Sequence, residues 1–275
     1  MNVSITKIIA ACAAVIFILY VMSVSPSIAG GDSGELVAEG CILGTAHPPG
    51  YPLFTLITFA LKKFGFAIFD PVANNVAYRL NILSCALTVG AAVCMGLMVQ
   101  LALPKSSPPP SGNKGGAAAA EHPLMYAAGS VVAMGLFCFS PLIWQYAVTA
   151  EVFPLNTFFA SLICYLVLLF AHTGKFQVAV VGAFVCGLAL TNQHTIVLYE
   201  APLILWIIWL LRHEWKERLL PVLGVLALAF FVGLLPYIYI PLSSIMYPAN
   251  KSASWGQVDN WSGFLHHFLR RDYGT

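Results

Sequence analysis

The sequence predicts an all-α membrane protein, a polytopic helical bundle of about seven transmembrane helices. Of its 275 residues, 59% are hydrophobic and only 9% are charged, whereas about 25% of the residues of a soluble domain are charged. The apolar residues are also gathered in runs long enough to cross a hydrocarbon core of about 30 Å. A soluble core of this chain length could not bury so much apolar surface, so lipid must be part of its solvent.

Charge and cysteine content exclude several classes of function. The net charge is +2 and no basic cluster is present, which argues against a nucleic-acid partner. Six of the seven cysteines lie in apolar runs, and no Cys-x-x-Cys pair occurs. We therefore predict no disulfide framework and no dedicated metal site, although the sequence does not decide whether a divalent ion joins a bound phosphate.

The first apolar run, residues 5–28, is long enough to be a transmembrane helix. An alternative stays open, since Ser27-Ile28-Ala29 has the small residues of a signal-peptidase site. Both readings place the next segment on the far side of the membrane. That segment, residues 29–78, is predicted to be a first lumenal loop with an acidic site, followed by helices at the membrane surface, because its apolar stretch is interrupted by Lys62 and Lys63.

The rest of the chain completes a single transmembrane module, residues 1–275. Residues 104–123, rich in Pro, Gly, Ser and Ala, are predicted to be a flexible cytosolic linker. Residues 243–275 form a polar, aromatic tail. The predicted spans after the first are 79–103, 124–143, 152–171, 176–190, 196–211 and 219–241.

The distribution of Lys and Arg gives the orientation. With the amino terminus in the cytosol, seven of the 13 basic residues are cytosolic and six are lumenal. The sequons at Asn250 and Asn260 then fall in the lumenal tail as candidate N-glycosylation sites. We expect a multi-pass protein with its polar tail in the lumen.

The acidic loop after the first span is the best candidate for a site. A carboxylate at a membrane boundary is partly desolvated, which raises its pKa. If a helix begins at Ser33, Asp32 is placed to cap it, and Glu35 and Glu39 share one face. These are the groups of a general base, but the same residues fit a capped helix with solvated glutamates, and both readings stay open here.

A rigid turn follows the acids. The segment Gly44-Thr45-Ala46-His47-Pro48-Pro49-Gly50-Tyr51-Pro52 contains enough Pro and Gly to hold His47 in a set position. His47 is a candidate donor to an anionic group or a simple turn residue. Glu151 and His194 are further candidates, because each lies between two apolar runs on the side predicted for Asp32.

Motifs along the whole chain outside the linker resemble a known family. They are Gly-Gly-Asp-Ser-Gly-Glu (30–35), Ala-His-Pro-Pro-Gly-Tyr-Pro-Leu-Phe (46–54), Ala-Tyr-Arg-Leu-Asn (77–81), Trp-Gln (144–145) with Ala-Glu-Val-Phe-Pro-Leu-Asn (150–156), Asn-Gln-His-Thr (192–195), Leu-Leu-Pro-Tyr (234–237), and Phe-Leu (264–265) with Arg-Arg-Asp-Tyr-Gly-Thr (270–275). Together they resemble the membrane family that contains transmembrane protein 260, which is similar to the C-type glycosyltransferases.

The resemblance implies a function. It implies a protein O-mannosyltransferase of the endoplasmic reticulum membrane that takes mannose from dolichyl-phosphate mannose. Its acceptors would be Ser or Thr hydroxyls of immunoglobulin-like plexin-type domains. Asp32 would be the general base, with Glu35 as the next candidate. Donor phosphate or substrate would be bound by residues drawn from six positions: His47, Arg79, Glu151, His194, Arg270 and Arg271.

Other readings remain open. The arginines also suit anchoring at lipid headgroups. Members of the family continue well beyond Thr275, so the chain resembles an amino-terminal part or a shortened isoform. One alternative is therefore a non-catalytic membrane partner of a full-length enzyme. Another is a polytopic transporter, since intramembrane carboxylates and proline-broken helices suit a transport path.

Overall fold

The computed structural model describes residues 3–65, 75–102, 118–214, 219–247 and 254–273. These residues form twelve α-helices: α1 (Val3–Ser23), α2 (Ser33–Ile42), α3 (Pro52–Phe64), α4 (Val76–Ala102), α5 (Ala118–Cys138), α6 (Pro141–Ala147), α7 (Val152–Thr173), α8 (Phe176–Leu190), α9 (Val197–Glu214), α10 (Leu219–Gly233), α11 (Tyr239–Met246) and α12 (Trp261–Phe268). No strand occurs within the described ranges. The predicted all-α class is confirmed.

Several helices have the length and composition of membrane spans. Within the described ranges, four helices qualify alone, in α1, α4, α7 and α9, and up to six spans result if each of two bent pairs counts as one. The bent pairs are α5 with α6, at 74°, and α10 with the segment ending in α11, at 42°. Helix α8 is apolar but has only 15 residues, fewer than the about 20 that a bilayer core requires. The multi-pass class is confirmed, and the count of seven stays a prediction.

Helix α4 is the centre of the bundle. It packs against α7, α5 and α1, and buried apolar residues on its two sides separate into two clusters. Leu80 belongs to the cluster shared with α7, and Cys85 belongs to the cluster shared with α1 and α5. Helix α4 is apolar on several sides because it is surrounded by other helices.

Helices α8 and α10 approach closely through two glycines. A Cβ atom added at Gly187 would lie 2.0 Å from the carbonyl oxygen of Phe230, and one added at Gly233 would lie 2.3 Å from that of Phe184. Small residues allow helix backbones in a membrane to come this close. The contact fixes α10 alongside α8.

One end of the bundle, here called the site end, collects the loops that carry polar residues. Asn81 of α4 donates from its amide to the carbonyl oxygens of Ser25 and Ser27, at 2.8 and 2.9 Å. Asn192, after α8, donates to the carbonyl oxygen of Val152 at 3.1 Å. These buried amides hold the loop after α1 and the start of α7 in fixed positions next to α2 and α3.

The boundary of the predicted linker differs from the structure, whereas the predicted surface segment does contain a helix. Helix α5 begins at Ala118, within the predicted linker of residues 104–123, and residues 103–117 lie outside the described residues. The predicted surface segment contains α3, and residues 66–74 are also outside the described residues. The alanines that follow the Pro- and Gly-rich stretch are strong helix formers, which explains the early start of α5.

Candidate functional site

Asp32 lies at the start of α2, where it is held through its backbone. Gly31, with a φ of 75°, turns the chain into the helix. The backbone N–H of Asp32 donates to Oε1 of Glu151 at 3.0 Å. The side chain of Asp32 makes no capping hydrogen bond and is 59% exposed. Asp32 is thus at the capping position that the sequence predicts, but its carboxylate stays available to a ligand.

His47 lies between the carboxylates of Glu35 and Asp32. Its Nδ1 atom is 3.1 Å from both carboxylate oxygens of Glu35, and its backbone N–H donates to Glu35 Oε1 at 2.7 Å. On the other side of the ring, Nε2 is 3.1 Å from the hydroxyl of Tyr51 and 3.8 Å from Oδ2 of Asp32. The His47 side chain is only 12% exposed. Glu35 therefore fixes the ring so that Nε2 points toward Asp32 and Tyr51.

The turn that carries His47 has an uncommon backbone conformation, and its predicted rigidity stays a prediction. Its Pro48–Pro49 peptide bond is cis, and Gly50 and Tyr51 both have positive φ, of 95° and 41°. A Cβ atom at Gly50 would lie 2.8 Å from Ile240 and 3.2 Å from a ring nitrogen of His267, so only glycine fits. Pro52 then begins α3. The backbone of this turn sets the positions of His47 and Tyr51.

Glu151 completes the acidic cluster from the first residue before α7. It is 5% exposed, and its Oε2 atom has no hydrogen-bond partner in the described part of the chain. Burial is the main cause that raises the pKa of Glu151 to about 7; the nearby charge of Asp32 acts in the same direction, and hydrogen bonds from the backbone of Asp32 and Ser33 act in the opposite direction. Near neutral pH the carboxyl of Glu151 is therefore partly protonated.

Glu39 lies one turn after Glu35 and plays a different part. Its Oε2 accepts a hydrogen bond from Ser254 at 2.7 Å, and Ser254 Oγ accepts one from the backbone N–H of Thr45 at 3.1 Å. Glu39 is 4% exposed, and burial raises its pKa. It joins α2, the His47 turn and the segment after α11.

The segment after α11 covers the His47 turn. The backbone N–H of Trp255 donates to the carbonyl oxygen of Thr45 at 2.9 Å, and the rings of Trp255 and His47 have centroids 6.4 Å apart. His267 of α12 is 1% exposed, next to Gly50 and Gly256. Burial lowers the pKa of His267 to about 4, so it is neutral and acts as a packing group.

His194 and Arg270 approach the cluster from further along the chain. His194 hydrogen-bonds to the hydroxyl of Tyr237, and its ring packs edge-on against Phe268 with centroids 4.7 Å apart. The guanidinium of Arg270 lies 5.1 Å from the ring centroid of Tyr273. Burial raises the pKa of Tyr51 to about 12 and the positive charge of Arg270 opposes that rise, so Arg270 is within electrostatic range of Tyr51.

The remaining predicted site residues lie elsewhere. Arg79 Nη1 donates to the carbonyl oxygen of Leu61 at 3.1 Å, at the end of α3. Arg271 is exposed on the turn after α12. Asn260 caps α12, accepting from the N–H of Gly263 at 2.9 Å, and Asn250 lies outside the described residues.

The sequence did not single out Tyr51, Tyr237 or Ser254 as members of the site. Tyr51 stands four residues after His47 in the same turn, and that spacing was the available signal. Tyr237 and Ser254 are brought to the site by the path of the chain, which local spacing does not reveal.

Asp32, Glu35 and His47 could also hold a cation. They place one ligand atom each within 4.8 Å of one another, and carboxylate oxygen with imidazole nitrogen suits several divalent ions. The arrangement equally supports proton transfer, because an exposed carboxylate lies beside a histidine that another carboxylate orients. The prediction of no dedicated metal site stays a prediction.

Comparisons with known proteins agree on one family. The family model described as protein O-mannosyl-transferase TMEM260 N-terminal domain matches residues 32–218. The chain is 40% identical over 264 residues to protein O-mannosyl-transferase TMEM260 of Mus musculus, covering 94% of this chain and 33% of that protein. It is 30% identical over 288 residues to protein O-mannosyl-transferase tmem260 of Dictyostelium discoideum, covering 96% of this chain and 31% of that protein. The chain thus spans about one third of the length of these curated relatives. No solved structure shows a significant match.

Proposed function

Because the chain belongs to the protein O-mannosyl-transferase TMEM260 family, we propose that it carries the catalytic base and donor-binding groups of a protein O-mannosyltransferase. The reaction is transfer of mannose from dolichyl-phosphate mannose to a Ser or Thr hydroxyl of an immunoglobulin-like plexin-type domain. It takes place at the lumenal face of the endoplasmic reticulum membrane. The observation that carries the proposal is the exposed carboxylate of Asp32, held beside His47 at the site end of the bundle.

Asp32 acts as the general base. It accepts the proton of the acceptor hydroxyl as the hydroxyl oxygen bonds to the anomeric carbon of mannose. The bond from that carbon to the phosphate oxygen breaks, and dolichyl phosphate leaves with the electron pair. One carboxylate acting as base leads to inversion at the anomeric carbon, as in inverting glycosidases. Asp32 suits the role because it is exposed while its backbone is fixed by Glu151.

Positive and hydrogen-bonding groups around Asp32 bind the donor. The Nε2 atom of His47 and the hydroxyl of Tyr51 lie on the Asp32 side of the turn. The charge of Arg270 reaches the same region. Donors placed where negative charge develops stabilise a departing phosphate strongly in a site that excludes water. Arg79 and Arg271 stay as candidates for the outer part of the phosphate site.

Mannose transfer measured with radiolabelled dolichyl-phosphate mannose and a plexin-type domain tests the proposal. The assay uses membranes that contain this chain or the chain extended to the length of its relatives. Each protein is compared with its Asp32→Asn and Asp259→Asn variants. Asp259 is exposed and outside the cluster, so it provides a matched control. We expect Asp32→Asn to lower the rate by about 100-fold or more and Asp259→Asn to leave it unchanged. Full activity of Asp32→Asn would refute the base assignment and leave Glu35 or Glu151 as candidates.

A further inference from the structure

The turn of residues 191–194, between α8 and α9, lies beside the candidate active site. The backbone N–H of Leu53, in the first turn of α3, donates to the carbonyl oxygen of Thr191 at 3.3 Å. The side-chain amide of Asn192 donates to the carbonyl oxygen of Val152, the first residue of α7, at 3.1 Å. The turn is therefore attached to the starts of α3 and α7, and residues of the candidate site directly precede both helices.

The hydrogen bonds of Tyr237 fix which nitrogen of His194 carries a proton. The hydroxyl of Tyr237 contacts the carbonyl oxygen of Leu190, at 2.8 Å, and Nε2 of His194. A tyrosine hydroxyl has one proton and a carbonyl oxygen can only accept, so that proton goes to Leu190. Nε2 of His194 must therefore donate to the hydroxyl oxygen of Tyr237. This bond sets the imidazole in the tautomer that is protonated on Nε2.

The other ring nitrogen of His194, Nδ1, is left with a lone pair. The neutral ring is favoured because it is half-buried, contacts no carboxylate of the described residues and lies within range of the positive charge of Arg270. Nδ1 also has no hydrogen-bond partner in the part of the chain that the structure describes. A neutral imidazole protonated on Nε2 can only accept at Nδ1. His194 thus offers an acceptor, and no proton, to a ligand on this side of its ring.

An acceptor in this place suits a hydroxyl group and does not suit a phosphate. Phosphate oxygens are acceptors themselves, and proteins bind them with N–H donors and cations. A metal ion would be repelled by the charge of Arg270, which lies within range of the same ring. A Ser or Thr acceptor has a single hydroxyl proton, which in the proposed function passes to Asp32. A sugar carries several hydroxyls, so one of them can donate to Nδ1.

We propose that Nδ1 of His194 accepts a hydrogen bond from a hydroxyl group of the donor's sugar, an inference that rests on the proposed function. Arg270 acts electrostatically on both His194 and Tyr51, so the ring lies near the groups assigned to the phosphate. The sugar is bonded directly to that phosphate in the donor. The product dolichyl phosphate lacks the sugar, so this contact favours binding of the substrate over the product.

Equilibrium binding of two lipids to the protein in phosphatidylcholine nanodiscs tests the contact without transfer. One lipid is dolichyl-phosphate mannose, and the other is dolichyl phosphate, which has the same phosphate and tail but no sugar. His194→Gln keeps an N–H near the position of Nε2, where it can still donate to Tyr237, but places no acceptor near Nδ1. We expect the Kd of dolichyl-phosphate mannose to rise by about 5- to 10-fold, the usual effect of losing one hydrogen bond, and that of dolichyl phosphate to stay unchanged.

Two further variants serve as controls for the substitution. His194→Asn places its side-chain oxygen near the position of Nδ1, so it should recover part of the preference for the sugar-bearing lipid. His172→Gln makes the same change as His194→Gln on an exposed histidine at the opposite end of α7, and it should leave both Kd values unchanged. Donors that each lack one sugar hydroxyl identify the contact. The donor lacking the contacting hydroxyl should bind the parent chain and His194→Gln equally.

The outcomes separate this inference from the proposed function. Equal weakening of both lipids in His194→Gln would assign the phosphate to His194, and unchanged binding of both would assign no ligand to it; either result overturns the sugar contact. A rise confined to the KM of the plexin-type domain in the transfer assay would assign the hydroxyl to the protein acceptor and would also overturn it. Mannose transfer by the parent chain would keep the proposed function in all three cases. If the preference for the sugar-bearing lipid depends on His194 while no form transfers mannose, the sugar contact stands and the proposed function falls.

Discussion

The backbone N–H of Asp32 donates to the carboxylate of Glu151 across 119 residues of sequence. This one bond attaches the start of α2 to the start of α7. Among the residues that the structure describes, the second carboxylate oxygen of Glu151 is buried without a hydrogen-bond partner. The carboxyl of Glu151, which holds Asp32 in place, is therefore itself sensitive to pH.

The first prediction concerns the pH dependence of stability. The pKa of Glu151 is raised from 4.5 to about 7 in the folded chain, so folding favours its protonated form. Its contribution to stability is fully present below about pH 4.5 and is lost as the pH rises through about 7, a change of about 3 kcal/mol. Thermal unfolding in nanodiscs from pH 5 to 8 should show stability falling with pH, and Glu151→Gln should flatten that slope.

Asp259→Asn removes an exposed carboxylate and is the control for that series. It should keep the slope of the parent chain. An unchanged slope in Glu151→Gln would show that Glu151 does not titrate in this range.

The second prediction separates orientation from proton abstraction. Glu35 holds Nδ1 of His47, so Glu35→Gln should leave Asp32 intact but release the ring from its fixed position. We expect kcat to fall by about 10- to 100-fold, because His47 is no longer held in the position from which it assists transfer. Steady-state transfer at several pH values measures this, and Glu35→Asp should restore part of the rate. A loss confined to KM would contradict a positioning role.

Local sequence signals predicted the residues around Asp32, but they did not predict the long-range contacts that complete the candidate site. The positions of Asp32, Glu35 and His47 follow from a glycine turn, a short helix and a proline-rich turn, all within 20 residues of sequence. The parts that Tyr237 and Ser254 play could not be predicted, since they depend on how α10 and the segment after α11 return to the site end. The number of spans could not be predicted either, because the bends after Cys138 and Gly233 belong to the tertiary structure.

The third prediction tests the His47 turn through two glycines. A Cβ atom at Gly44 would lie 2.0 Å from Glu39 Oε2 and 2.3 Å from Ser254 Oγ, whereas one at Gly30 meets nothing within 4 Å. Gly44→Ala should therefore destabilise the turn by about 1–3 kcal/mol, the usual range for overpacking. Hydrogen exchange of residues 43–47 should accelerate in Gly44→Ala and not in Gly30→Ala. Equal protection in both variants would mean that Glu39 and Ser254 rearrange without cost.

The fourth prediction concerns metal removal. In the folded chain Nδ1 of His47 contacts Glu35 and Nε2 contacts Tyr51, so both ring nitrogens already have partners. We expect mannose transfer to continue after treatment with a strong chelator. If the chelator abolishes transfer, manganese or zinc should not restore it. Restoration in the parent chain but not in His47→Asn would instead assign a cation to Asp32, Glu35 and His47.

The hydrogen bonds from Ser254 and Trp255 to the His47 turn have a consequence for biosynthesis. The acidic loop is made first, and its covering segment is made about 210 residues later, so the turn remains uncovered while those residues are synthesised. Contacts of such high sequence separation form late and slow the completion of folding. The His47 turn therefore receives its cover only after the segment that follows α11 has been made.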